Sequence, residues 1–273
     1  MKGRGKEVIL TGVGILIVAC FLFPVYWMIV NSFKIQPEIF QTPPTFWPHS
    51  LYTDGYTAQL DGSLGRSFVN SFIVAISSMV IVVITAIPAS YAMARYPLPG
   101  KKIMLLFFLV TQMLPVTVIL APLFIMFKQF GLLNSLWAPI LATTTMGIPF
   151  SILILRTYFL NAPKELENAA MIDGCNRFSA FIRIMIPISA PGIIVCAAFS
   201  FLFAWGDLIY SMTFISNSSM WPLTAGVYDS MGRYGIQWNN LLSFATITVL
   251  PVLTMFVLLQ RYLISGITNG AVK

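Results

Sequence analysis

Six runs of apolar residues, each about as long as a bilayer crossing, are separated by polar segments of unequal length. They cover residues 8–30, 68–94, 103–127, 136–155, 192–214 and 241–264. A crossing helix needs about 20 mostly apolar residues, roughly 30 Å of helix, and every run meets that length. Strands are excluded, because an open sheet edge in hydrocarbon leaves amides unpaired. The pattern predicts an all-α integral membrane fold of six transmembrane helices, in a single domain over residues 1–273. Prolines 24, 88, 115, 122, 139, 149 and 251 fall inside the runs. Each removes a backbone donor and tends to kink its helix. Ordinary packing and helices bent so that they can rock are both open readings. The first run follows a basic start at Lys2, Arg4 and Lys6. It exceeds the roughly 7–15 residues of a signal-peptide core and no small-x-small cleavage site follows, so it is expected to be retained as the first span.

The segment 156–191 breaks the pattern. It gathers Arg156, Lys164, Glu165, Glu167, Asp173, Arg177 and Arg183, and its periodicity predicts two short helices. The first is expected to take Asn161 as N-cap and Pro163 near its first position. Glu165 and Glu167 then lie at the positive end of its dipole. Leu166, Ala169, Ala170 and Asp173 share one face, and Gly174 supplies the left-handed residue that stops it. The second, from about 176 to 186, carries Phe178, Phe181, Ile182 and Met185 as an apolar stripe, with Pro187 expected to end it. Two such helices hung below a bundle make a knob. The small Ala169, Ala170 and Gly174 permit close approach by another body, but a loop that merely packs under its own helices fits the same pattern.

Composition changes the picture in one respect. Residues are 58% hydrophobic and only 9% charged, against about 25% charged in soluble domains, so lipid is the main solvent. The net charge of +7 does not point to nucleic acid, since the cations are scattered and form no stripe. Orientation accounts for them. With the N-terminus inside, twelve Lys and Arg fall on inner segments and only Lys34, Arg66, Lys128 and Arg233 on outer ones. The expected placement is multi-pass in the plasma (inner) membrane with both termini cytoplasmic. Cys20, Cys175 and Cys196 give no external pair, so no disulfide is expected. His49, in a Pro-rich loop, reads as a solvated surface residue, and no metal-ligand cluster exists. The long outer segments 31–67 and 215–240 are rich in aromatics, which suits either binding or an interfacial belt.

Asn70, Gln112, Thr143, Trp205 and Asp207 are candidates to line a substrate path by hydrogen bonding and ring stacking, with helix packing as the alternative for each. Asp207 is the one acid near a predicted span, where ionisable groups are functional hypotheses by default. The chain has no phosphate-binding loop, so any ATP-driven work needs a separate subunit. A secondary transporter with ion-coupled uptake is the main rival. Its usual intramembrane charges are missing apart from Asp207. A membrane enzyme would need a polar cluster at one depth, and none is present.

The string Asn168-Ala169-Ala170-Met171-Ile172-Asp173-Gly174, then Ile184-Met185-Ile186-Pro187 after nine residues, resembles the EAA loop of permeases of binding-protein-dependent ABC importers. That pattern is Glu-Ala-Ala, three residues, Gly, nine residues, Ile-x-Leu-Pro. The resemblance runs along most of the chain and is closest to the carbohydrate-importer branch, of the type of the maltose transporter's second permease. It is carried also by Asn31-Ser32-Phe33-Lys34, Tyr91-Ala92-Met93-Ala94-Arg95, Trp205-Gly206-Asp207 and Gln260-Arg261-Tyr262. It implies a non-catalytic transmembrane subunit of an ATP-driven carbohydrate importer. Glu165, Asn168, Ala169, Ala170, Asp173, Gly174 and Phe178 would couple it to the ATPase. It further implies a homologous second permease, two ATP-binding-cassette subunits, an extracytoplasmic sugar-binding protein and surrounding lipid. ATP and Mg would bind the ATPase, with no cofactor on this chain. The segment 215–240 would touch the binding protein, and the tail 266–273 the ATPases. Two departures stand out. Ile186 replaces Leu, a mild change. Asn168 replaces the leading Glu, which in the family is expected to meet a basic residue of the ATPase. Asn can accept a hydrogen bond but cannot form the ion pair.

Overall fold

The computed structural model describes residues 2–60, 64–230 and 237–271, and every regular element among them is helical. The long α1 (Lys2–Ser32) leads through short α2 (Gln36–Ile39) and α3 (Asp54–Leu60) to α4 (Leu64–Arg95). Next come α5 (Lys101–Met113), α6 (Val116–Gln129) and α7 (Trp137–Asn161). An insertion follows, made of α8 (Lys164–Ile172), α9 (Arg177–Ala180), a π turn (Phe181–Met185) and α10 (Ile186–Ile188). Then α11 (Ala190–Trp205), α12 (Ile209–Phe214), α13 (Leu223–Ser230) and α14 (Trp238–Ala271) complete the order. The outer segment 215–240 includes residues 231–236, and the tail 266–273 includes 272–273, which lie outside the described residues.

Among the described residues, four helical stretches are long and apolar enough to cross a membrane: Ile9–Ser32, Leu64–Arg95, Trp137–Asn161 and Trp238–Gln260. The other two predicted spans are not straight helices. The third is broken into α5 and α6 with a bend of 100°. Pro115 contributes to the break, because its ring disfavours α geometry at the residue before it. Leu114 accordingly turns extended, with φ −74° and ψ 129°. The fifth is broken at Gly206, so that α11 ends at Trp205 and α12 starts at Ile209. Pro24, Pro88, Pro122 and Pro251, by contrast, sit inside unbroken helices.

The backbone separates into two compact units, Met1–Gly65 with Val227–Pro251, and Arg66–Gly226 with Val252–Lys273. In the larger, α7 is the scaffold. Its most apolar stretch is 61% buried, and backbone contact is close on two sides. A Cβ added at Gly147 would stand 2.8 Å from a Val82 methyl on α4, and one added at Gly192 on α11 would stand 2.6 Å from the Tyr158 ring. Small residues let helices approach where lipid supplies no hydrophobic drive between them. Between α4 and α7, Ser78 and Thr143 share a buried hydrogen bond of 2.9 Å.

In the smaller unit, α1 exposes residues 9–24 continuously. The segment that follows it forms a buried polar clasp. Glu38 Oε1 accepts from Thr45 Oγ1 at 3.0 Å, the His49 amide at 3.0 Å and His49 Nδ1 at 2.9 Å. Lys34, 1% exposed, donates from Nζ to the Thr45 carbonyl and lies 4.8 Å from the centre of the Trp27 ring. His49, expected to be merely solvated, is exposed on its own account yet helps close the clasp. Burial lowers the Lys34 pKa, opposed by the charge of Glu38. Burial would raise Glu38, but the donors from His49 and Thr45 and the charges of His49 and Lys34 outweigh it and hold the carboxyl below its ordinary 4.5.

A group held below its ordinary pKa stabilises the fold above that value, and the stabilisation fades as pH falls through it. The Tyr52 amide, bonded to the Phe33 carbonyl at 2.9 Å, reports on the clasp. Glu38→Ala removes three donors' acceptor and is expected to cost about 2 kcal/mol, with roughly thirtyfold faster exchange of that amide. Taking the native protein below about pH 4.5 should lower the protection factor of the same amide, its rate being compared with that of an unstructured peptide at the same pH. Exchange unchanged in both arms would refute the role given to Glu38.

Candidate functional site

The insertion between α7 and α11 is fixed by its ends. Ala162 and Pro163 are extended, Ala162 because a proline follows it. Asn161, expected to cap α8, is instead the last residue of α7, and Pro163 stands at the N-cap with no side-chain bond. At the other end, Gly174 has φ +91°. Its amide donates to Met171 O at 3.2 Å and that of Cys175 to Ala170 O at 2.9 Å. That pair of bonds is the Schellman stop, and glycine is the residue that adopts it without strain. Asn176 then caps α9, its Oδ1 accepting from the Ser179 amide at 2.8 Å. Pro187 does not end the second helix as expected. A π turn directly precedes it, where the ladder already lacks the proline's amide, and the helix continues to Ile188.

What holds α8 in place was not foreseen. Arg95, at the end of α4, pairs through Nε with Glu167 Oε2 at 3.2 Å, their side chains 6% and 14% exposed. The Tyr91 hydroxyl donates to the other oxygen of Glu167, and Arg95 Nη2 donates to Ala162 O at 2.7 Å. One guanidinium thus ties both α8 and the α7–α8 connection to α4. The signal was in the string Tyr91-Ala92-Met93-Ala94-Arg95, whose i, i+4 spacing puts Tyr91 and Arg95 on one face. The expected stripe on the second helix divides in two. Phe181 and Met185 are buried in a cluster with Tyr91, Phe159 and Leu155, and the Tyr91 and Phe181 rings are 4.5 Å apart. Phe178 is 70% exposed, as is Ile172 at 86%.

The expected coupling residues lie on this element. Leu166, Ala169, Ala170 and Asp173 share a face, as their spacing predicts, and with Arg183 and Pro187 they line a groove of about 470 Å³. Asn168 lies elsewhere on α8, in a second cavity of about 300 Å³ with Arg95, Lys164, Glu167 and Arg177. Glu165 is exposed, and a Cβ at Gly174 would meet open space.

The five path candidates are each engaged with a different neighbour. Asn70 reaches the carbonyls of Ser219 and Trp221 at 3.4 Å, and Gln112 donates to Met146 O at 3.1 Å. Thr143 bonds Ser78 and the carbonyls of its own preceding turn. Trp205 stacks on Phe201 and meets Phe68 and Phe72 edge-on. Asp207 sits at the break in the fifth span, where its carboxylate accepts from the amides of Tyr210 and Ser211 and from the Ser211 hydroxyl. It thereby satisfies the first amides of α12, which is how a helix starts at that depth.

Removing Glu167 strands a guanidinium that is almost wholly covered. Glu167→Ala is expected to destabilise the protein by about 3 kcal/mol, lowering the unfolding midpoint of the purified protein, while the exchanged pair Arg95→Glu with Glu167→Arg recovers part of the loss. A midpoint unmoved by Glu167→Ala would show that the pair does not hold α8.

Residues 86–269 match the family model described as the binding-protein-dependent transport system inner membrane component. The sulfoquinovosyl glycerol transport system permease protein SmoH of Agrobacterium fabrum is 32% identical over 253 residues, 92% of this chain and 89% of that one. The diacetylchitobiose uptake system permease protein DasC of Streptomyces coelicolor is also 32% identical over 253 residues, 92% of each chain. Among solved structures, a bacterial ABC transporter involved in import of the acidic polysaccharide alginate shares the fold, with a TM-score of 0.80 at 17% identity over 96% of this chain and 97% of that one. The family favours the ATP-driven reading over an ion-coupled one, and its members are transport components, not catalysts. An inner-membrane component of such a system works with an ATPase and a solute-binding protein, and this chain, with its crossing helices, belongs to that family of ABC importer permeases.

Proposed function

We propose that the chain is the transmembrane subunit of an ATP-driven carbohydrate importer. It forms half of a translocation path with a homologous second permease, above two ATPase subunits that hold ATP and Mg. A sugar-binding protein delivers substrate from outside, in contact with the segment 215–240. Both termini and the α8–α9 element face the cytoplasm, following the distribution of Lys and Arg. The carbohydrate class is supported by the relatives, whose names specify a sulfoquinovosyl glycerol and a diacetylchitobiose.

One observation carries the coupling role: α8 and α9 present Ile172 and Phe178 as large apolar groups to solvent, on an element whose buried side is pinned to α4. A loop that only packed under its own helices would turn those side chains inward. A stiff, apolar-tipped knob fits a partner's cleft and passes on rigid-body displacement. Closure of the ATPases would push it and tilt the attached helices, opening the path alternately to each side.

Mild detergent extraction is expected to bring a nucleotide-binding subunit with the permease, and uptake into proteoliposomes is expected to need ATP. Permease that purifies alone and transports without ATP would end the reading. Gly174→Trp adds bulk where a side chain meets open space. It should insert normally but lose at least about 90% of uptake and release the ATPase. Gly174→Asn, which tolerates positive φ, controls for backbone strain and should keep most of both. Full uptake by Gly174→Trp would refute docking at this point.

A further inference from the structure

Glu167, the carboxylate on the inner side of α8, is consumed by Arg95 and Tyr91. Lys164 and Arg177, which line the same cavity of about 300 Å³, are both exposed and have no carboxylate within ion-pair distance among the described residues. Three cations against one carboxylate leave this concavity with two unbalanced positive charges. Asn168 is its neutral member, an amide that both donates and accepts. Glu165 lies on the same helix but does not line the cavity. Concave walls of low dielectric focus such a field and make it stronger than that of the same charges on an open face.

We propose that this cavity receives a carboxylate side chain of the partner ATPase, so that the acid at the joint comes from the ATPase and the bases from the permease. The inference rests on the coupling reading and gives it a polarity. A basic residue of the ATPase brought to Asn168 would meet Lys164 and Arg177 at close range, and like charges brought together at an interface are costly. An Asp or Glu would meet two donors-in-waiting and the Asn168 amide, with charge-assisted bonds to each. A protein acid is favoured over a lipid phosphate because the elements that line the cavity also carry the exposed Ile172 and Phe178, next in sequence to the lining residues Met171 and Arg177, which the coupling reading assigns to the ATPase. Polar pocket and apolar tips together compose one docking face, a desolvated centre beside a charged pair.

The test uses the whole complex in nanodiscs. A water-soluble carbodiimide activates a carboxylate, which the Lys164 amine attacks; an amide forms and the reagent leaves as a urea. Mass spectrometry is expected to find Lys164 joined to an Asp or Glu of the ATPase, and Lys164→Gln to abolish that product. Lys164→Glu with Arg177→Glu should weaken ATPase association about tenfold or more at roughly 150 mM salt. Asn168→Glu, which fills the cavity with a like charge, should also weaken it, and tighter binding by that variant would overturn the proposal by showing that the site meets a base. Ile172→Cys in a background with Cys175→Ser, alkylated with a benzophenone maleimide whose photoexcited carbonyl inserts into a neighbouring C–H bond, separates the two readings. If it crosslinks to the ATPase while Lys164 joins no acid, the polarity is wrong and docking stands; if neither crosslinks, the coupling reading falls too. Should wild type in pure phosphatidylcholine bind the ATPase as weakly as the double variant, and phosphatidylglycerol restore it, a lipid headgroup occupies the cavity and the proposal fails.

Discussion

The ion pair between Arg95 and Glu167 is the interaction on which the insertion depends. It stands where the end of the long α4 meets the short α8, with both side chains largely withdrawn from water. Such a pair is not a source of much net stability, because desolvation offsets most of the attraction. Its value is specificity. Once the two charges are covered, each needs the other, so α8 has one position against α4. The hydroxyl of Tyr91 fixes the carboxylate's second oxygen, and Arg95 reaches on to the carbonyl of Ala162. Slipping α8 by one turn would leave a buried charge unpaired at both ends.

Everything nearby is arranged to keep that geometry stiff. Tyr91 also packs between Phe159 of α7 and Phe181 of the π turn, with ring centres 5.6 and 4.5 Å away. One side chain therefore serves the hydrogen-bond network through its hydroxyl and the apolar cluster through its ring. The glycine stop at 174 and the Asn176 cap set the turn between α8 and α9 without help from distant contacts. The larger unit then behaves as a frame: α7 at its centre, close to α4 at Gly147 and to α11 at Gly192.

How much of this was legible follows from the kind of signal each feature leaves. Apolar length is a one-dimensional property, so Leu64–Arg95 and Trp238–Gln260 emerged close to where expected. The Gly174 stop and the shared face of Leu166, Ala169, Ala170 and Asp173 were legible because helix periodicity and φ preference are local. Proline was the weak point. The same residue breaks a helix at Pro115, is absorbed within one at Pro88, and follows a π turn at Pro187. Which outcome wins depends on what neighbouring helices offer the freed carbonyls, and that is not written locally. The Arg95–Glu167 pair was hidden for a similar reason, since its partners are far apart in sequence and Glu167 already had a sufficient local explanation at the positive end of α8. Asp207 reads from sequence as a candidate path residue; that its carboxylate starts α12 is not legible there, because nothing marks Gly206 as a break inside an apolar run.

On the proposed reading, stiffness and softness need to be in different places, and the backbone meets that need. Displacement delivered to Ile172 and Phe178 is lost if the knob deforms, so the covered ion pair and the aromatic cluster belong at its root. It is equally lost if the spans are a rigid block. Interruptions at Leu114–Pro115, at 206–208 and, with a 74° bend, between α10 and α11 are places where the ladder of backbone bonds is thinned. The Gly206 amide still closes the last turn of α11 on Leu202 O and the Met212 amide the first turn of α12 on Leu208 O, so a change of dihedral between them disturbs fewer helical bonds than bending an intact helix by a similar angle. Neither of the first two breaks is loose: Pro115 has its φ fixed by its ring, and Asp207 holds the amides that open α12. Each offers a defined bend with few ways to move, which is what a joint requires if a push at one end is to give the same tilt every time.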